Sequence, residues 1–161
     1  MVTLPEIENK IEATRRALRS IGYLAEEVPA QEFCDYMTGE TFSGDTTALE
    51  DVLENEYLMV HELVEINELK KTVQVINKRV IVESSKTAIY DAHLKAMETE
   101  LDYALHKRDY LWIRVRLGQY KENILDNDPN LPEEIRPRAE ALYEKIREVV
   151  QTKEAEKSVS I

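Results

Sequence analysis

Apolar residues recur every three or four positions through most of this chain, the spacing that gathers them on one face of an α-helix. From Pro5 to about Glu27 the positions Ile7, Ile11, Leu18, Ile21 and Ala25 keep that interval, with Thr14 among them. Thr3 suits a cap, Pro5 the opening turn, and Glu6 and Glu8 the positive end of the dipole, so a first helix is expected here with Gly22 inside it. Val28 to Asp45 keeps no period and holds Pro29, Gly39 and Gly44, which predicts a long connection with a short helical turn near Glu32 to Met37. The pair Thr47 and Glu50 forms a capping box, and the helix it opens is expected to run to about Lys71.

Thr72 to Glu83 is rich in β-branched residues, with TVQVI and RVIVE on either side of Asn77-Lys78. That pattern predicts a small β-hairpin or, failing that, an extended connector. Ser84 or Ser85 then caps a third helix, about Lys86 to His106, whose core face is Tyr90, Leu94, Met97, Leu101, Ala104 and Leu105. A fourth spans about Asp109 to Leu125, although WIRVRL within it also alternates with period two and keeps a strand as the lesser alternative. After the turn DNDPNLP a fifth runs to about Val150 through Ile135, Ala139, Leu142, Ile146 and Val149. The tail from 151 to 161 loses the pattern and is expected to fray. The sum is an all-α fold, a mostly antiparallel bundle of about five helices in one domain over residues 1–150, with a β-hairpin near 72–83 as its one exception. The apolar face of the second helix is too wide for one neighbour, so a homodimer is expected to cover it.

Composition narrows the class. A chain of 161 residues can bury a core of its own, and 43% hydrophobic with 33% charged residues and only four glycines argues against disorder and against a turn-rich β-sandwich. Cys34 is the single cysteine, which excludes an intramolecular disulfide and a cysteine-based zinc site. No apolar run approaches the roughly 20 residues that span a bilayer, and MVTLPEIENK has neither a basic start nor an apolar stretch; a cytoplasmic protein with no membrane partner is expected.

The net charge of −11 is concentrated, because residues 31–70 carry eleven acids against the single base Lys70 while the rest of the chain is nearly balanced. Such a field repels nucleic-acid phosphates and attracts cations or a basic partner.

The candidate chemistry lies in LENEYLMVHELVEINEL, Leu53 to Leu69, where Glu54, His61, Glu65 and Glu68 form a polar stripe between apolar flanks. His61 and Glu65 are spaced i,i+4, over one turn, as a chelating pair requires. With His93 on the third helix, the pattern predicts a divalent-metal site between the second and third helices, its ion Zn, Ni, Fe or Mn. Its ligands would be His61, Glu65 and His93, with Glu54 or Glu62 as a fourth ligand or an outer partner. Glu100 lies two turns from His93 and shares its ligand sphere only if the helices cross steeply. The more frequent fate of such residues is a hydrogen-bonded network at a bundle edge, with Glu54, Glu65 and Glu68 held by Lys or Arg from other helices. A metal with an open position would activate water for attack on an ester, phosphoester or amide; the substrate is not encoded in any motif.

Established motifs are incomplete. HELVE at 61–65 opens like the zinc-peptidase pattern HExxH, but Glu65 stands at the second histidine. The residues three before His61, His93 and His106 are Leu58, Tyr90 and Tyr103, so the Glu-x-x-His pairs of di-iron bundles are missing. Glu62 to Glu65 matches the ExxE of all-helical nucleotide pyrophosphatases, yet no Glu lies three before a later Asp. Cys34 beside Asp35 lacks a base to activate it.

A different class of function fits a second feature. Lys107, Arg108, Arg114, Arg116 and Lys121 surround Tyr110 and Trp112, a basic and aromatic patch suited to an interaction or scaffold module that self-associates through it and the acidic segment 31–70. The stretch YLMVHELVEINELKK, residues 57–71, resembles one found in small archaeal proteins of unassigned function. That resemblance implies a cytosolic protein and assigns no catalytic residue.

Overall fold

The Thr3 side chain accepts the Glu6 N–H at 3.3 Å and opens α1, Leu4–Ser20, as its sequence promises. The computed structural model describes residues 1–42, 47–73 and 75–159, without the side chains of 157–159. Ser43 to Thr46, Gln74, Ser160 and Ile161 lie outside the described residues, and with them parts of the expected long connection, hairpin and tail. Helix α1 stops earlier than periodicity suggests. Gly22 takes φ +85, and around it the Tyr23 N–H donates to Leu18 and the Gly22 N–H to Arg19, the paired bonds that terminate a helix on a left-handed residue. Gly22 therefore ends the helix, contrary to expectation.

The chain divides into two compact units, Met1–Glu100 and Leu101–Ile161. In the first, α1 is followed by α2 (Ala30–Met37), α3 (Leu49–Leu53), α4 (Glu56–Leu69), α5 (Val80–Glu83) and the larger part of α6 (Lys86–His106). The expected second helix is two helices. Ala48, not Thr47, precedes α3 and makes no side-chain cap, while Glu54 closes α3. Asn55 then starts afresh, its side chain accepting the N–H groups of Tyr57 at 2.9 Å and Leu58 at 3.0 Å.

Helix α4 is the centre of this unit. It is buried on almost every side, with Val60, Leu63, Val64 and Ile66 inaccessible, because α1, α2 and α3 all pack on it. Polar side chains tie the surrounding chain to it. Asn67 accepts the Glu26 N–H at 2.8 Å and donates to the Leu63 carbonyl at 2.9 Å, Tyr23 donates to Glu68 at 2.8 Å, and Lys70 pairs with Glu32 at 2.8 Å.

The described residues contain no strand, and the expected hairpin near 72–83 is replaced by a turn and the short helix α5. The backbone there is committed elsewhere. Asn77 accepts the Arg79 N–H at 2.8 Å to start α5, and the Lys78 carbonyl accepts the Glu40 N–H at 2.7 Å. A Cβ on Gly39 would stand 2.5 Å from that carbonyl, so only glycine permits the approach.

In the second unit, α6 ends on Arg108 at φ 59, with Asp109 donating back to Ala104, and the Asp109 side chain then caps α7, Tyr110–Tyr120, through the Trp112 N–H at 3.1 Å. A π-helical segment, Lys121–Asp126, prolongs α7, so WIRVRL is helical. Helix α8, Arg136–Val159, begins with Pro137 in its first turn, where proline is tolerated, and continues past Gln151. Ile113, Tyr120, Ala139 and Ile146 are buried, and the Tyr120 hydroxyl donates to the Ala139 carbonyl at 2.7 Å. Among the described residues there are thus eight α-helices and a π-helical segment rather than about five helices: α2 forms where a short helical turn is expected, Asn55 divides the expected second helix, and α5 stands in the place of the hairpin. No helix among them is long and apolar enough to cross a membrane.

Candidate metal centre

Three helices bring polar side chains to Glu65. Helix α4 supplies His61 one turn before it, α2 supplies Tyr36, and α6 supplies His93 and, two turns later, Glu100; all lie within the first unit. One carboxylate oxygen of Glu65, Oε2, stands 3.1 Å from His61 Nε2 and 3.2 Å from His93 Nδ1. The other, Oε1, accepts the Tyr36 hydroxyl. His61 Nδ1 lies 2.9 Å from Glu100 Oε1, and the two imidazole rings meet edge to face with centroids 4.9 Å apart. His61, Glu65 and Glu100 are buried, whereas the His93 side chain keeps 24% of its surface and is where the cluster reaches solvent.

Burial sets the electrostatics. Removal from water would favour neutral imidazole at His61, but hydrogen bonds with Glu100 and Glu65 and the nearby charge of Glu62 outweigh it and raise its pKa to about 10. Burial likewise opposes ionisation of Glu65, and the hydrogen bonds from His61 and His93 reverse that, holding its carboxyl well below the usual carboxylate range. Burial and the Glu65 charge push the Tyr36 phenol far above its ordinary value, so it remains a donor. In the cluster as it stands, these bonds favour the protonated form of His61 and the ionised form of Glu65.

The same atoms suit a cation. One ligand atom from each of His61, Glu65 and His93 lies within 4.8 Å of the others. Ligands bonded at roughly 2.0–2.1 Å to a tetrahedral ion stand about 3.3 Å apart, close to the two imidazole–carboxylate separations. The other nitrogen of the His93 ring, Nε2, is buried with no hydrogen-bond partner among the described residues.

The sequence-predicted residues divide accordingly. His61, Glu65 and His93 converge. Glu54 does not belong: it is exposed at the end of α3, and the helical stripe that aligned it with His61 is broken by the Asn55 cap. Glu68 bonds to Tyr23 and Lys71, and Glu65 is held by imidazoles and a phenol rather than by Lys or Arg. Two partners were not foreseen. Glu100 reaches the far nitrogen of His61, and its signal was its place beside Met97, Leu101 and Ala104, where a carboxylate must be paired. Tyr36 lies in the segment expected to hold a short helical turn, near Glu32 to Met37, and gave no signal of this role.

The basic and aromatic patch is engaged locally. Arg116 lies over the Trp112 ring at 5.7 Å, Lys107 over Tyr103 at 5.4 Å, Lys121 pairs with Asp126 at 2.8 Å, and Arg114 pairs with Glu154. The chain matches no protein-family model, no curated protein and no solved structure.

Proposed function

We propose that this chain is a helical divalent-metal-binding protein whose ion sits among His61, Glu65 and His93. The observation that carries the reading is the convergence of two imidazoles and a carboxylate from α4 and α6 within ligand distance. Glu100 on the far nitrogen of His61 supports it, that being the position from which a carboxylate orients a metal-binding imidazole. Two nitrogens and one oxygen favour Zn, Ni, Fe or Mn over Ca or Mg. Three protein ligands leave a position for water, and the reading extends to hydrolysis by metal-activated water at that position. Titration of zinc or nickel into chelator-treated protein is expected to reach one ion per chain. Absence of stoichiometric binding refutes the proposal.

A second reading has its own observation. Leu111 is 67% and Val115 48% exposed, one turn apart on α7 beside the half-buried Trp112, an apolar strip that suits a self-associating interaction module such as a homodimer. Sedimentation should then show an oligomer that Leu111→Glu disperses; a monomer at all concentrations removes this reading.

A further inference from the structure

We infer that Tyr36 keeps Glu65 a one-oxygen ligand and so keeps one coordination position of the ion open to a small exogenous ligand, water or a small anion; this rests on the metal-binding reading above. The two oxygens of the Glu65 carboxylate are divided between different neighbours. Oε2 faces both imidazoles, at 3.1 Å from His61 Nε2 and 3.2 Å from His93 Nδ1, whereas Oε1 accepts the Tyr36 hydroxyl. Tyr36 is buried on α2, and α2 packs on α1 and α4, so the phenol is held by a helix other than those that carry the ligands.

For Glu65 to close on an ion through both oxygens, Oε1 would have to abandon a buried donor and leave the Tyr36 hydroxyl unpaired, which burial makes costly. Glu65 therefore supplies one bond. With one from each histidine the protein provides three, and the fourth corner of a tetrahedral ion is left to an outside ligand. His93 is the most exposed member of the cluster.

Cobalt(II) tests this, because four-coordinate tetrahedral cobalt absorbs visible light much more strongly than five- or six-coordinate cobalt, and azide serves as the small anion. The wild-type protein loaded with one cobalt should show intense visible bands that shift on azide addition. Tyr36→Phe frees Oε1 to coordinate: the bands should weaken, and azide should be needed at a concentration higher by about 10-fold or more, the scale on which outer partners of a metal ligand act. Tyr23→Phe removes a phenol that bonds to Glu68 on the same helix outside the cluster, and it should retain the wild-type spectrum and azide response. If Tyr36→Phe does not fold, 4-aminophenylalanine at position 36 keeps a donor at the same place and should reproduce the wild-type spectrum. A wild-type cobalt spectrum indifferent to azide overturns the inference while leaving metal binding intact, as does a Tyr36→Phe protein with wild-type bands or an aminophenylalanine protein with weakened ones. Failure of the wild type to bind cobalt at all removes the metal reading and this inference with it.

Discussion

Replacing His93 by alanine separates a metal ligand from a mere hydrogen-bond partner, because the two roles predict losses of different size. His93 contributes one bond of 3.2 Å to Glu65, and a quarter of its side chain faces water. In metal-free protein its removal should therefore cost only about 1 kcal/mol, since a charged hydrogen bond at a partly solvated position is screened. As a ligand it is worth more. Structural zinc sites with four protein ligands bind with about 10–16 kcal/mol, so one ligand carries about 3 kcal/mol, or roughly a 100-fold change in dissociation constant. At a zinc concentration about 100 times the wild-type dissociation constant, the wild type gains about 2.7 kcal/mol of stability. The variant, with concentration and constant then about equal, gains only about 0.4 kcal/mol. At about 2–4 °C per kcal/mol for a chain of this length, scanning calorimetry should show zinc raising the wild-type Tm by about 5–11 °C and the variant by about 2 °C or less. Equal shifts in the two proteins would refute the assignment of His93, whatever the variant does without zinc.

Three further outcomes follow from the geometry. His61 holds its proton to about pH 10 in the folded, metal-free protein but releases it near pH 6.5 when unfolded, so this stabilisation is complete below about pH 6.5 and is lost as pH rises toward 10. Urea titrations in chelator should give a lower unfolding free energy at pH 9 than at pH 7, and His61→Asn should flatten the difference; a wild-type protein equally stable at both contradicts the protonated network. Asn55→Ala removes the side-chain acceptor for two N–H groups at the start of α4 and should cost about 1 kcal/mol in chemical denaturation, with no loss meaning that α4 does not need its cap. Arg108 occupies a left-handed turn at φ 59, and Arg108→Gly should stabilise the protein by about 0.5–1 kcal/mol, the relieved strain exceeding the added freedom of the unfolded chain; destabilisation would show that the arginine makes a compensating contact.

The helical class, the extent of α6 and the pair His61 and Glu65 were all present in the sequence, because each depends on neighbours within a turn or two along the chain. Apolar spacing marks a buried face, Ser85 marks a start, and an i,i+4 interval sets two side chains one above the other wherever the helix goes. Helix boundaries are governed by single residues whose conformation competes with that periodicity, and so Gly22 and Asn55 divided what the pattern ran together and left Glu54 outside the cluster. Pairing across the core required the fold. Tyr36, His93 and Glu100 come to α4 from 28 to 39 residues away in sequence, and only the packing of α2 and α6 on α4 decides that one phenol takes Oε1 of Glu65, that His93 shares Oε2 with His61, and that a second glutamate closes the remaining nitrogen. The charge excess of residues 31–70 showed that carboxylates would need partners; the burial of α4 determined which of them do, since a glutamate left in water, as Glu54 is, has no need of one.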